Sequence, residues 1–308
     1  MTTQNSNAKF SKNDIVEVYY TKNAIHIRKI GYSTPKKHTS IINLSNGLYL
    51  TNDGYIKHQK HSKMKIDNSV SLNRTFHKLR RIIEDQVDRT KKAKLSLTLT
   101  YRDGCTDTEQ LQHDFDIFMK RLRRYVKKNF NGQGFSFIKI FEPHEEPDNN
   151  GKTRWHIHLL LFGLYFLDKK DATKLWGHAD LVVPVSLAGR NPLSVAQYFT
   201  GYVNLDANTK ATDELTKKRL AKQRRLKLYP RNLAIYSTSR DIHEVKWQKQ
   251  KFSDIIEHFP DAKIVNSAGR TIIKNGKEIN RIDYLNLMKA SSKFMKDDYK
   301  PFDYKEFE

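Results

Sequence analysis

Cysteine is nearly missing: Cys105 stands alone among 308 residues, which excludes an internal disulfide and fits a reducing cytoplasm. No stretch approaches the ~20 consecutive apolar residues that span a bilayer. The first fourteen residues, Met1–Asp14, lack the apolar core of a signal peptide. The expectation is a soluble cytoplasmic protein with no membrane partner. No internal repeat occurs, and Gly276-Lys277 lacks the upstream glycine of a phosphate-binding loop, so no nucleotide-driven motor is evident. Acidic residues are also scarce, 34 Asp and Glu against 56 Lys and Arg, for a formal charge of +22. Such an excess implies a polyanionic partner, because each cation brought to a phosphate releases condensed counterions. Membrane surfaces and RNA attract a basic chain too, so charge narrows the partner without naming it.

Residues 12–57 read as short strands with turns: Ile15–Tyr19 and Ile25–Arg28 partly alternate, and Asn46-Gly47 and Asp53-Gly54 are turn dipeptides. From Ser71 to Val87, the residues Leu72, Phe76, Leu79, Ile83 and Val87 recur at helical spacing. Lys94–Tyr101 (KLSLTLTY) alternates Leu95, Leu97 and Leu99 with Ser96, Thr98 and Thr100, a strand with one buried face. Thr106-Asp107-Thr108-Glu109 is a capping-box pattern that opens an amphipathic helix through Leu111, Phe115, Phe118, Leu122 and Tyr125. The outer face of that helix carries Lys120, Arg121, Arg123, Arg124, Lys127 and Lys128, a pattern that solvent alone would satisfy.

A strand over Phe135–Phe141, an acidic Asn/Gly-rich turn over Glu145–Gly151 and a strand from Arg154 read as an antiparallel hairpin. A short helix over Asp168–Trp176, a strand over Asp180–Val185 and a helix over Pro192–Asn204, capped by Asn191, follow. Lys217–Lys227 (KKRLAKQRRLK) is strongly basic; Lys217, Lys218, Arg219, Lys222, Arg224 and Arg225 are candidates for DNA phosphate contacts, with a solvated basic segment as the alternative. The last sixty residues alternate short helical and strand-like pieces and carry no motif. The expected organisation is a small β-rich extension over 1–75, an α+β domain over 76–250 with a central antiparallel sheet flanked by helices, and a C-terminal extension over 251–308.

The most informative stretch is Arg154–Phe162 (RWHIHLLLF). A strand sends residues i and i+2 to one face, so His156 and His158 point together while Ile157 packs on the other side. One strand can thus present two imidazoles to a divalent metal, or simply hold two hydrogen-bonded histidines. Glu142 ends the preceding strand before Pro143, and pairing of the two strands brings its carboxylate near both histidines. His144, Glu145 and Glu146 compete for this third position. Two imidazoles and one carboxylate accept Mn²⁺ or Mg²⁺, as well as Zn²⁺ or Co²⁺, and leave positions open for a phosphate oxygen.

Tyr198 and Tyr202 are four apart and share one face of a helix. Two roles are open to them: half-buried packing, or nucleophilic catalysis. A phenol, with its ordinary pKa of ~10, is a weak nucleophile when neutral, and a metal that polarises a phosphate compensates for that weakness. Attack would give a phosphotyrosine ester and a free sugar hydroxyl, and would retain the bond energy for rejoining.

KLSLTLTY, RWHIHLLLF and YFTGYVNL, in this order, resemble the three motifs of rolling-circle replication initiators, the HUH endonucleases of small plasmids, single-stranded DNA phages and related elements. The resemblance covers roughly residues 90–245. It implies an RRM-like or ferredoxin-like sheet, metal ligands at His156, His158 and Glu142, and a nucleophilic tyrosine at Tyr198 with Tyr202 as a second. It also implies a single-stranded origin hairpin as substrate, a 5′-phosphotyrosine intermediate, and a host helicase and polymerase as partners. One departure stands out: the lysine common in the third motif is Gly201 here, which leaves Lys210, Lys217 or Lys218 to take its place. A conjugative relaxase is the neighbouring alternative, but such enzymes typically place the tyrosine before a three-histidine cluster. A non-catalytic single-stranded nucleic-acid-binding protein, using 15 Tyr and 16 Phe for stacking, is the alternative of a different class.

Overall fold

The computed structural model describes residues 2–31, 42–44, 48–50, 55–58, 64–144, 146–201 and 224–301. In chain order the strands begin with β1 (Thr2–Ser6), β2 (Ile15–Tyr20), β3 (Ala24–Ile30), β4 (Ile42–Asn43), β5 (Leu48–Leu50) and β6 (Ile56–His58). Then come α1 (Ser69–Arg89), β7 (Lys94–Leu99), α2 (Thr108–Asn129), β8 (Ser136–Pro143), β9 (Trp155–Phe162), α3 (Lys169–Trp176), β10 (Val185–Ser186), α4 (Pro192–Thr200) and β11 (Tyr236–Thr238). The chain closes with β12 (Gln248–Lys251), α5 (Phe252–His258), β13 (Lys263–Lys274), β14 (Lys277–Met288) and β15 (Lys300–Pro301). The class is α+β, as the strand and helix periodicities require.

The chain divides into two compact units, one formed by residues 1–61 with 246–308 and the other by 62–245. In the first, β1-β13-β14-β3-β2-β12 lie in that order, β15 also pairs with β13, and β4-β5-β6 make a separate small sheet. Residues from both ends of the chain therefore share one sheet, since β1 pairs with β13 and β3 with β14. Its apolar face buries Val16, Val18, Ile25, Ile27, Leu285 and Leu287 against Phe252 and Ile255 of α5. The last sixty residues thus contain a long hairpin where only short pieces were expected. Asn275 and Gly276, both at positive φ (51° and 75°), form its two-residue turn, the conformation that matches strand twist.

The second unit is built on a five-stranded antiparallel sheet, β10-β7-β9-β8-β11. Every residue of β9 is buried because helices cover both faces of this strand. α1 and α4 lie on one face: Lys94 Nζ donates to Val87 O and to Thr90 O, and Phe199 packs on His158. α2 lies on the other, where Tyr101 donates to Asp114 and Phe115 packs against Phe137. Leu72, Phe76, Leu79, Ile83 and Val87 of α1 are all buried, as their spacing predicts. Two boundaries differ from expectation. The cap of α2 is Asp107, whose carboxylate accepts from Glu109 and Gln110 N–H, so Thr106 closes no capping box. The stretch 180–184 is irregular, and only Val185–Ser186 pair with β7.

Lys139 is buried on the α2 face, between the rings of Phe115 and Phe141 at 4.9 and 4.4 Å, and donates to Gln112. Burial pushes its ammonium down to about 8. Between pH 8 and the ~10.4 of a free lysine, the unfolded chain holds a proton that the native state has lost. Stability therefore rises with pH across that window, and the penalty for burying the charge is fully present below it. Lys139→Met is expected to stabilise the protein at pH 7 by on the order of 1–3 kcal/mol. Urea denaturation at pH 7 and pH 10 checks this: the gain shrinks at pH 10, and a loss at both would show that the cation contributes more through packing.

Candidate metal centre and nucleophile helix

The register of the sheet assembles a polar cluster from three strands. Glu142 of β8 lies directly opposite His156 of β9, and His158 lies between Ile140 of β8 and Thr98 of β7. Directly paired residues share a face, so Glu142, His156, His158 and Thr98 all look toward α1 and α4. His158 Nε2 is 2.9 Å from Glu142 Oε2 and 3.2 Å from His156 Nε2. Thr98 Oγ1 sits 3.2 Å from His158 Nδ1, a contact that fixes the ring's orientation. Glu142, His156 and His158 are buried, at 1%, 6% and 8% exposure. Burial, reinforced by the neighbouring His158, holds the His156 imidazole neutral by pushing its pKa well below the usual histidine range.

One ligand atom from each of the three residues lies within 4.8 Å of the others, so this group can hold a metal ion. The donor set fits a divalent cation: neutral imidazole nitrogens and a carboxylate oxygen converge where apolar packing would be expected. His144 is close, its ring 4.4 Å from that of His156, but it is outside the converging set. Burial pushes its pKa down as well. Glu146 is exposed, and Glu145 lies outside the described residues.

α4 carries Tyr198 to this cluster. Asn191 Oδ1 accepts from Ser194 N–H, and Pro192 occupies the first turn, where a missing N–H costs nothing. Val195, Ala196 and Phe199 bury one side of the helix. Its C-terminus is held by Arg80 of α1, which donates to Thr200 Oγ1 and to the Thr200 carbonyl, placing a cation at the helix's negative end. Tyr198 remains 59% exposed, with its ring 6.4 Å from the His158 ring and edge-on to Phe199.

An α+β domain with two histidines and a glutamate on one sheet face, beside an exposed tyrosine, now has a counterpart among known families. Residues 94–207 match the family model of the replication-associated proteins of the ORF2 and gene 2 protein type. This segment belongs to a rolling-circle replication initiator family. No curated protein and no solved structure matches the chain. The match to the initiator family begins at β7 and runs past the end of α4, so it contains the whole polar cluster and Tyr198. Among the described residues no helix of the protein is long and apolar enough to cross a membrane.

The structure brings His156, His158, Glu142 and Tyr198 together. Tyr202 lies outside the described residues, as do Lys210, Lys217, Lys218, Arg219 and Lys222. The initiator helix is shorter than its sequence predicts: α4 ends at Thr200, and Gly201 is its C-cap at φ −64°, so no glycine penalty is levied inside the helix. Arg225, read as a phosphate contact, has its guanidinium on the cluster instead, with Nη1 2.5 Å from Glu142 Oε1. Sequence reasoning missed this pair, and it missed the roles of Thr98 and Arg80. Thr98 was within reach, since it stands in the same alternating strand; the contacts of Arg80 and Arg225 span 120 and 83 residues.

Proposed function

We propose that this replication-associated domain nicks and rejoins single-stranded origin DNA, with Tyr198 as the nucleophile. The observation that carries the reading is an exposed phenol on a rigid helix beside a buried His-His-Glu group. Glu142, His156 and His158 would hold Mn²⁺ or Mg²⁺, which supplies Lewis-acid polarisation of the scissile phosphate. The phenolic oxygen of Tyr198 bonds to phosphorus as the bond to the 3′ oxygen of the preceding nucleotide breaks. The phenol loses its proton, and the departing sugar oxygen gains one. The products are a 5′-phosphotyrosine ester and a free 3′-hydroxyl, and reversal of the same exchange rejoins the strand. α4, anchored through Asn191 and Arg80, holds the phenol in place and so lowers the entropic part of the barrier. In this reading Lys217, Lys218, Arg219, Lys222 and Arg224 track the DNA backbone, Tyr202 receives a strand in a second exchange, and a host helicase and polymerase extend the freed end.

Covalent capture tests the reading. A fluorescent oligonucleotide carrying the origin sequence is expected to become covalently attached to the protein in Mn²⁺ or Mg²⁺, and EDTA is expected to prevent it. DNA binding without an adduct under any divalent metal would identify a non-catalytic binder.

A further inference from the structure

A second basic surface lies on the far side of the same sheet. The C-terminal half of α2 exposes Lys120, Arg123, Arg124, Lys127 and Lys128 at steps of three and four, a single stripe along the helix. None of these side chains forms an ion pair among the described residues. The adjoining α3 adds exposed Lys169, Lys170 and Lys174. The nearby carboxylates are already engaged: Asp168 caps α3, Asp171 accepts from the Tyr125 hydroxyl, and Asp116 accepts from Gln112. Repulsion among these cations is left uncompensated, which costs stability unless something anionic is brought to them.

The second observation is aromatic. Tyr165 and Phe166, in the connection from β9 to α3, are 60% and 55% exposed. Tyr165 is edge-on to Phe130, the residue that ends α2, with ring centroids 5.9 Å apart, so the exposed rings adjoin the basic stripe. Cations that track a backbone beside rings that stack on bases are the combination that binds single strands without sequence preference.

The surface is separate from the polar cluster. α2 covers the face of Leu95, Leu97 and Lys139, whereas His156 and His158 occupy the opposite face. Along β9, the chain leaves for Tyr165 six residues beyond His156, about 20 Å at strand rise.

We propose that the α2–α3 face is a second DNA-binding surface, which holds a single-stranded segment away from the nicking site. The choice of DNA rests on the family and the charge, and the proposal does not depend on the chemistry of Tyr198. The experiment uses the full chain in EDTA, with fluorescein-labelled (dT)30 as probe and anisotropy read over a salt series. Arg124→Gln, Lys127→Gln and Lys128→Gln together are expected to weaken binding at least tenfold and to flatten the logarithmic salt dependence by about 2, three contacts at ~0.7 each. Tyr165→Ala with Phe166→Ala is expected to weaken binding at least fivefold at an unchanged salt slope. Lys249→Gln, Lys251→Gln and Lys296→Gln, an equal loss of exposed charge elsewhere, is expected to stay within twofold of the parent.

The proposal is overturned if the α2 variant weakens binding no more than this control, or if the aromatic pair has no effect. It is overturned as well if the variants lose a 30-base-pair duplex while keeping (dT)30. Both surface variants are expected to form the covalent adduct on a short origin oligonucleotide as the parent does, so failure of nicking and failure of this surface give different results.

Discussion

Tyr198→Phe is expected to eliminate the covalent protein–DNA adduct while leaving DNA affinity unchanged. The substitution removes one hydroxyl from an exposed ring, and the ring's contacts with His158 and Phe199 persist. The fold therefore has no reason to respond. Loss of a covalent nucleophile returns the reaction to what the remaining groups achieve, on the order of 10⁴-fold or more below the parent. Tyr202→Phe is expected to leave first cleavage nearly intact and to impair only strand transfer. The pair is read by denaturing gels with a labelled oligonucleotide, and by anisotropy for affinity. Equal adduct formation by Tyr198→Phe and the parent protein would remove Tyr198 from the chemistry.

The second large effect is expected at the polar cluster. Replacing His156 and His158 together by Ala is expected to abolish Mn²⁺ binding in isothermal titration and adduct formation along with it. Glu142→Gln keeps the side chain's shape but removes its charge, and a metal affinity at least ~100-fold lower is expected. That variant also leaves the guanidinium of Arg225 facing a neutral amide. Because all three side chains are buried, near-ultraviolet circular dichroism and (dT)30 affinity serve as the control for folding. A folded double-histidine variant that binds Mn²⁺ as the parent does would place the metal elsewhere.

The polar cluster was legible because β-structure has a period of two. Once RWHIHLLLF is a strand, His156 and His158 must share a face, and a hairpin partner must bring its last carboxylate beside them. The covering helix was legible through Asn191-Pro192 and the apolar set Val195, Ala196 and Phe199. Its end was not, since the helix stops at Thr200, where Arg80 of α1 clamps the last turn. The long hairpin of β13 and β14 escaped notice for a different reason. Asp283 is fully buried in it, held by Arg281 and by the Lys9 N–H, and a buried charge breaks the hydrophobic alternation that marks a strand. Gly269 breaks it again: a Cβ there would lie 2.5 Å from Asn7 O, so the close approach of β1 demands glycine. The Asn275-Gly276 dipeptide was the local signal that remained.

The most direct test of the central claim is the identity of the attached residue. The adduct trapped in Mn²⁺ is digested with protease and nuclease, and the nucleotide-bearing peptide is sequenced by mass spectrometry. The account predicts a phosphodiester on Tyr198, within the peptide of α4. A phosphotyrosyl peptide bearing Tyr202 alone, or an adduct on any residue outside α4, would contradict it.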